Sequence, residues 1–367
     1  MKLADKKIDT PFLFWLKLIV PFVVAIFIYA LSFFPAFIET YYSTQFYLFI
    51  ANCQRVLFGF VALSIGDILY GCLVGYFVFW FVTFIKCLLK KQITWQKLAF
   101  ASLQSIKFLL WAYIFFNVLW GLNYSRLGIA NQLQLPNAEY STEELHDLSC
   151  DILEKLNGSR LALGDSNYQY PDNTIIYYQA FDAYQNTKNT FQFLNYQHYS
   201  VKPSLLSTLV SYAGYSGYYN PFSGEAQLNT DLPKFITPFV ACHEMAHQLG
   251  YASESEANFV GYLTATHSDN PLFIYSAYFD IFMSANGELF PKDFYSAYLN
   301  LKQLNSIVRK DRRTYKDYIT GKQNNMQPVV SKLYDQYLKA NQQKSGIKSY
   351  NEVIGWLIAY KKKYGKI

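Results

Sequence analysis

The chain has 367 residues, of which 52% are apolar, 19% aromatic and only 16% charged. That balance is too apolar for an ordinary soluble enzyme and predicts one soluble domain attached to a membrane region. The net charge is +6, but the lysines gather beside apolar runs and at the C-terminal end, which reads as membrane topology rather than nucleic-acid binding.

Residues 1–10 are polar and carry Lys2, Lys6 and Lys7. No charge follows between Leu18 and Ile38, a run long enough to span a bilayer, with Pro21 near its start. The run is too long for a cleaved signal and lacks a small-residue cleavage site, so a retained helix is expected. Two further uncharged runs, Ile68 to Ile85 and Phe108 to Ser125, are bounded by Asp67, Lys86, Lys107 and Arg126. Trp111 and Trp120 suit interfacial positions. The expectation is three transmembrane helices at about 12–36, 67–89 and 98–122 within residues 1–126.

Residues 43–66 are apolar apart from Arg55. A fourth span there would put Arg55 mid-bilayer at a cost of roughly 2.5–3.5 kcal/mol. It would also move Lys86, Lys90, Lys91 and Lys97 to the outside. Three spans keep that cluster and the basic start together in the cytoplasm, with 43–66 at the outer interface or packed on the bundle. The protein is then expected to be integral to the inner (cytoplasmic) membrane, multi-pass, with residues 127–367 outside the cytoplasm and the lipid bilayer as a partner.

From Leu127 the composition becomes that of a soluble domain. Ser141-Thr142-Glu143-Glu144 opens a helix with a capping box. Residues 173–194 read as another helix, and 204–230, with Asn220-Pro221 and Ser223-Gly224 turns, as short strands. Glu225 to Thr230 is expected to be an edge strand that takes up substrate backbone by strand addition. Residues 273–305 and 326–363 read as mainly helical. The five cysteines, Cys53, Cys72, Cys87, Cys150 and Cys242, show neither metal nor disulfide spacing.

Ala241 to Gly250 contains His243-Glu244-Met245-Ala246-His247. Thr237 is expected to cap this helix, Pro238 suits its first turn, and Gly250 suits the left-handed residue at its end. Positions i and i+4 share a helix face, so His243 and His247 can grip one zinc ion while Glu244 beside them serves as general base. Zinc needs a third ligand. The third His of the metzincin pattern would stand at 253, where the residue is Ser253, so Glu254 and Glu256 remain. Glu254 shares a small face with Ala257, Asn258 and Gly261, which favours it, with Asn258 one turn on as its supporting partner. Glu256 completes a Ser253-x-x-Glu256 capping box and is the alternate ligand.

Glu254-x-x-Ala257-Asn258 resembles the Glu-x-x-Ala-Asp of membrane gluzincins of the CAAX-prenyl-protease type, with Asn in place of Asp. His243 to Gly250, then Glu254 to Phe259, together with Trp120 to Tyr124 and Tyr337 to Asn341, is more similar to an uncharacterised bacterial membrane family, domain-of-unknown-function family 3810. The resemblance implies a membrane-anchored, zinc-peptidase-like protein and names no substrate. The expected architecture is therefore α+β: an N-terminal bundle of about three transmembrane helices, then a mainly helical zincin-like metallopeptidase domain with a small sheet. The expected chemistry is hydrolysis of a peptide or protein substrate by a zinc-activated water, with Glu244 as base and Tyr337 as the candidate oxyanion donor on its place in the shared string. A non-catalytic zinc-site sensor or scaffold and a transporter are the rival readings. Intact Glu244 argues against the first, and the soluble two thirds of the chain against the second.

Overall fold

The computed structural model describes residues 11–136, 139–164, 167–341, 343 and 352–367. The basic start with Lys2, Lys6 and Lys7 lies outside them. The first helix, α1, runs Pro11–Leu31. Pro35 has no N–H to continue the ladder and restarts the helix as one turn, α2 (Pro35–Phe37). The chain continues without interruption through a π-helix, Ile38–Phe46, into α3 (Tyr47–Gly59). This second line of helix is bent 95° from α1. The expected first span, 12–36, thus breaks at Leu31.

Two long apolar helices follow, α4 (Ile65–Leu89), capped by Ser64, and α5 (Trp95–Leu119), capped by Thr94. Each is long and apolar enough to cross a membrane, and the bent pair around Pro35 makes a third if taken as one span. Residues 43–66, expected at the outer interface or against the bundle, lean on both α5 and the polar part of the protein. Tyr42, just before this stretch, donates to the Asn117 carbonyl at 3.0 Å, and within it Tyr47 donates to the Gln248 carbonyl at 3.1 Å. Arg55 is 2% exposed and donates to the Gln248 carbonyl at 3.2 Å. A guanidinium held by protein oxygens avoids the cost of facing lipid.

The remainder comprises a one-turn α6 (Gly128–Gln132), α7 (Thr142–Ala162) and α8 (Asn173–Thr187), then β1 (Val201–Pro203), α9 (Ser207–Ala213), β2 (Gly217–Asn220) and β3 (Glu225–Leu228). Among the described residues, seven helices follow: α10 (Thr237–Gln248), α11 (Glu254–Thr266), α12 (Pro271–Leu289), α13 (Phe294–Gln303), α14 (Ser306–Lys322), α15 (Gln327–Ala340) and α16 (Glu352–Tyr364). The Ser141–Glu144 capping box forms as expected. The expected helix over 173–194 ends earlier, at Thr187.

The sheet order is β1-β3-β2. β3 runs parallel to β1, with Val201 opposite Ala226, and antiparallel to β2, with Gly217 opposite Leu228. This corrects the expected edge strand: β3 is paired on both sides, and β1 and β2 are the edges. β3 is buried throughout, so it reads as a core strand rather than an alternating one. The main apolar core lies between α7, α8, α10, α11, α12 and α16. A second cluster joins Ala25, Ile28, Ile114 and Trp120 to Tyr219, Ala252 and Leu338, and so ties the apolar helices to the sheet and α15.

Two buried charges pin the α3–α4 corner to the sheet. Lys202 of β1 donates to the carbonyls of Gly59 and Val61 as α3 ends. Glu225 of β3 accepts from the N–H groups of Ile65 at 3.2 Å and Gly66 at 2.7 Å as α4 begins. A cation at a helix C-terminus and an anion at an N-terminus both match the macrodipole and satisfy end groups with no intrahelical partner.

Candidate metal centre

The site is built on α10 and the loop after it. Pro238 occupies the first turn, where its missing N–H costs nothing. Thr237 lies inside the helix rather than capping it: Ile236 is the N-cap residue, without a side-chain bond. Gly250 has φ +86° and its backbone lies against Asn123 and the Tyr47 ring, so both conformation and space require glycine. The turn carries the chain into α11, where Gly261 packs so closely that a Cβ there would stand 3.1 Å from the His243 nitrogen. The small face expected on α11 is thus the one that meets α10.

That crossing brings His243, His247 and Glu254 together, all buried, with one ligand atom from each within 4.8 Å of the others. Glu254 Oε2 is 3.2 Å from His243 Nε2 and 3.7 Å from His247 Nε2. The imidazole rings stand perpendicular, 4.8 Å apart. Donors on a tetrahedron of radius about 2.0–2.1 Å lie about 3.3 Å apart, a value the two Glu254 separations bracket. His247 Nδ1 lies 2.7 Å from the Tyr251 carbonyl, which leaves Nε2 free to face Glu254. Behind the loop, Trp120 Nε1 donates to the His247 carbonyl at 3.3 Å, and Arg126, paired with Glu39, donates to the Gly250 carbonyl at 3.0 Å.

Burial opposes charge on His243, but the hydrogen bond it donates to Glu254 and the charges of Glu244 and Glu254 win, raising the imidazole to about 9. Glu254 meets the same burial penalty, and its bonds to the two histidines hold it well below the usual carboxylate range. A protonated His243 forms an ion pair with Glu254. Glu244 is 4% exposed, and among the described residues its Oε2 has no hydrogen-bond partner. Burial raises its carboxyl to about 7 against the pull of His243 and His247. Gly217, at the start of the edge strand, lies over it: a Cβ there would come 2.6 Å from Glu244 Oε1.

Glu256, the alternate candidate, lies outside the His243–His247–Glu254 cluster. It accepts from the Ile129 N–H at 2.8 Å and sits over Gly128, whose φ is +77° and whose place for a Cβ is 1.6 Å from Glu256 Oε1. The capping box at Ser253 does not form either, since Ser253 makes no side-chain cap bond and its Oγ pairs with Ser255 Oγ at 2.8 Å. The buried Ile129 N–H and the nearby Arg126 charge compete successfully for Glu256. Asn258 is half-buried one turn beyond Glu254 and, among the described residues, makes no hydrogen bond to the three ligand side chains.

Sequence reasoning missed Tyr334. Its hydroxyl donates to Glu254 Oε1, the oxygen turned away from the histidines. Tyr337 lies one turn on, stacked on Tyr334 at 6.0 Å and 3.5 Å hydroxyl-to-hydroxyl from Tyr124. The i, i+3 spacing of the two tyrosines on α15 was the available signal.

A family model described as "Protein of unknown function (DUF3810)" matches residues 42–358. No curated protein and no solved structure matches the chain.

Proposed function

The chain belongs to the DUF3810 family, and we propose that it is a membrane-anchored, zincin-like zinc metallopeptidase whose site lies outside the cytoplasm. The carrying observation is the convergence of His243, His247 and Glu254 beside a buried carboxylate, Glu244, that the fold itself leaves with a free oxygen. A site serving structure alone has no use for such a base. The three converging side chains would hold zinc, which when bound supplies Lewis acidity toward a carbonyl oxygen and lowers the pKa of water.

The chain's own residues carry the rest. Tyr251 holds the His247 ring, and Tyr334 holds the far oxygen of Glu254, so both ligands keep their orientation. Glu244 takes the proton of the attacking water and passes it to the leaving amine. Tyr337 donates to the developing oxyanion. Substrate backbone adds to β2. The Asn229 N–H donates to the Ser216 carbonyl, so the alternation of the ladder turns the polar groups of Gly217 and Tyr219 to the open side, beside Glu244.

The test is metal analysis of the purified full chain followed by digestion of a peptide library. Stoichiometric zinc is expected in the wild type and in Glu244→Gln, with cleavage only in the wild type. Glu244→Gln protein that folds without metal, or cleaves as well as the wild type, would sink the role assignment.

A further inference from the structure

Two helices beside the site expose the wrong face for water. In α9 and the residue pair before it, Leu205, Leu209 and Tyr212 follow helical spacing on the outside, while Ser207 and Ser211 are buried. Leu209 is 66% exposed and Ser211 2%. In α15, Met326, Val329 and Leu333 form an exposed stripe at i, i+3 and i+7, with Leu333 61% exposed. Lys332, Asp335 and Lys339 take the opposite side. A soluble helix does the reverse.

The chain's connections say what covers this surface. The Leu205 N–H donates at 2.7 Å to Asp67, in the first turn of α4. The Tyr337 ring packs 6.3 Å from Phe116, in the last turn of α5. Asn324 bridges the two helices by donating to the Tyr212 carbonyl at 2.7 Å. α9 therefore begins, and α15 ends, beside the same-side ends of two helices long and apolar enough to span a membrane, and they meet each other. Inside this frame, Tyr215 packs 5.4 Å from Tyr334, which bonds Glu254.

We infer that α9 and α15 lie in the interface of the bilayer, their exposed apolar side chains among the lipid headgroups and upper acyl chains, so that the cleft takes polypeptide held at the membrane surface. The docking rests on α4 and α5 being spans and not on peptidase chemistry; only the substrate class depends on the latter. Interfacial helices of this kind sink their apolar face roughly 5–10 Å into the headgroup boundary. The candidate site lies close to these spans: the His247 ring is 6.1 Å from Trp120, the residue next after α5.

The experiment uses the full chain in phosphatidylcholine vesicles. Cys53, Cys72, Cys87 and Cys150 are replaced by Ser, buried Cys242 is kept, and single cysteines are placed at Leu209, Leu333 or Lys332 and labelled with an environment-sensitive fluorophore. Labels at 209 and 333 are expected to emit blue-shifted light and to be quenched by brominated lipid, while the label at 332 is quenched by aqueous iodide. Iodide quenching at 209 and 333 equal to that at 332 overturns the docking. So does protection from both quenchers, which would mean a second copy covers the face. Flotation with the vesicles reads anchoring in the same samples: protein that fails to float overturns the spans and the docking together. Zinc content reads the metal proposal separately. On the unaltered protein, photolabelling by a headgroup-level lipid probe should mark α9 and α15, and labelling confined to α1, α4 and α5 would count against the inference.

Discussion

At the scale of single residues, the two candidate glutamates have opposite jobs. Glu254→Gln is expected to weaken zinc affinity at least tenfold, since even partners of ligands cost about 10–100-fold when lost. Tyr334→Phe should lower affinity by about 10-fold for the same reason, through Glu254 Oε1. Glu256→Ala should leave zinc in place and cost about 1–3 kcal/mol of stability, because it strands the buried Ile129 N–H. Competition titrations against a chelator, with thermal unfolding alongside, separate these cases; loss of metal from Glu256→Ala with Glu254→Gln unaffected would reverse the assignment. A pH dependence follows from His243. Its imidazole is raised to about 9 in the fold from an ordinary 6.5, so its protonated form stabilises the metal-free protein. That contribution is fully present below pH 6.5 and is lost as pH rises through 9. The stability difference between metal-free wild type and His243→Ala should shrink across that window. Zinc must displace the same proton, so loading at pH 7 should release about one proton, measurable by calorimetry in buffers of different ionisation enthalpy.

At the scale of elements, the corner between α3 and α4 is held by charges placed on the sheet. Glu225→Ala removes the acceptor for two buried N–H groups and leaves Lys202 without its neighbouring anion. A loss of about 2–4 kcal/mol is expected in thermal unfolding; a change within a few tenths would show that the corner is held by packing alone. The edge strand gives a sharper case. Gly217→Ala puts a methyl group where Glu244 Oε1 and Cγ already stand, at 2.6 and 2.8 Å. The proposed base would be displaced while the three ligands stay, so cleavage should fall with zinc content unchanged.

At the scale of the whole molecule, the apolar helices and the His243–His247–Glu254 cluster are joined directly. Tyr47 and Trp120, on either side of the long helices, both bond the last turn of α10. Lysine placement predicts that the 86–97 region faces the cytoplasm and the polar domain the outside. Alkaline-phosphatase fusions after Leu127 should be active in a bacterial host and fusions at Lys91 inactive; the opposite pattern would invert the orientation.

Much of this was legible in the sequence because it is local. The charge-free stretches mark α4 and α5, since length and composition alone decide whether a helix can span. The Ser141 capping box, the Gly250 turn and the shared face of His243 and His247 follow from helix geometry within one or two turns. What lay beyond the sequence depends on how elements cross. Whether Glu254 or Glu256 faces the histidines is decided by the close passage of α11 over α10 at Gly261 and by the Ile129 N–H that claims Glu256. The support of Tyr334 for Glu254 comes from a helix 80 residues away. β3 is central and β2 lies at an edge because β3 inserts between β1 and β2, parallel to the first and antiparallel to the second, a pairing no alternation along β3 itself could announce. Local pattern tells a residue which side of its own element it occupies, and only packing tells it what stands on that side.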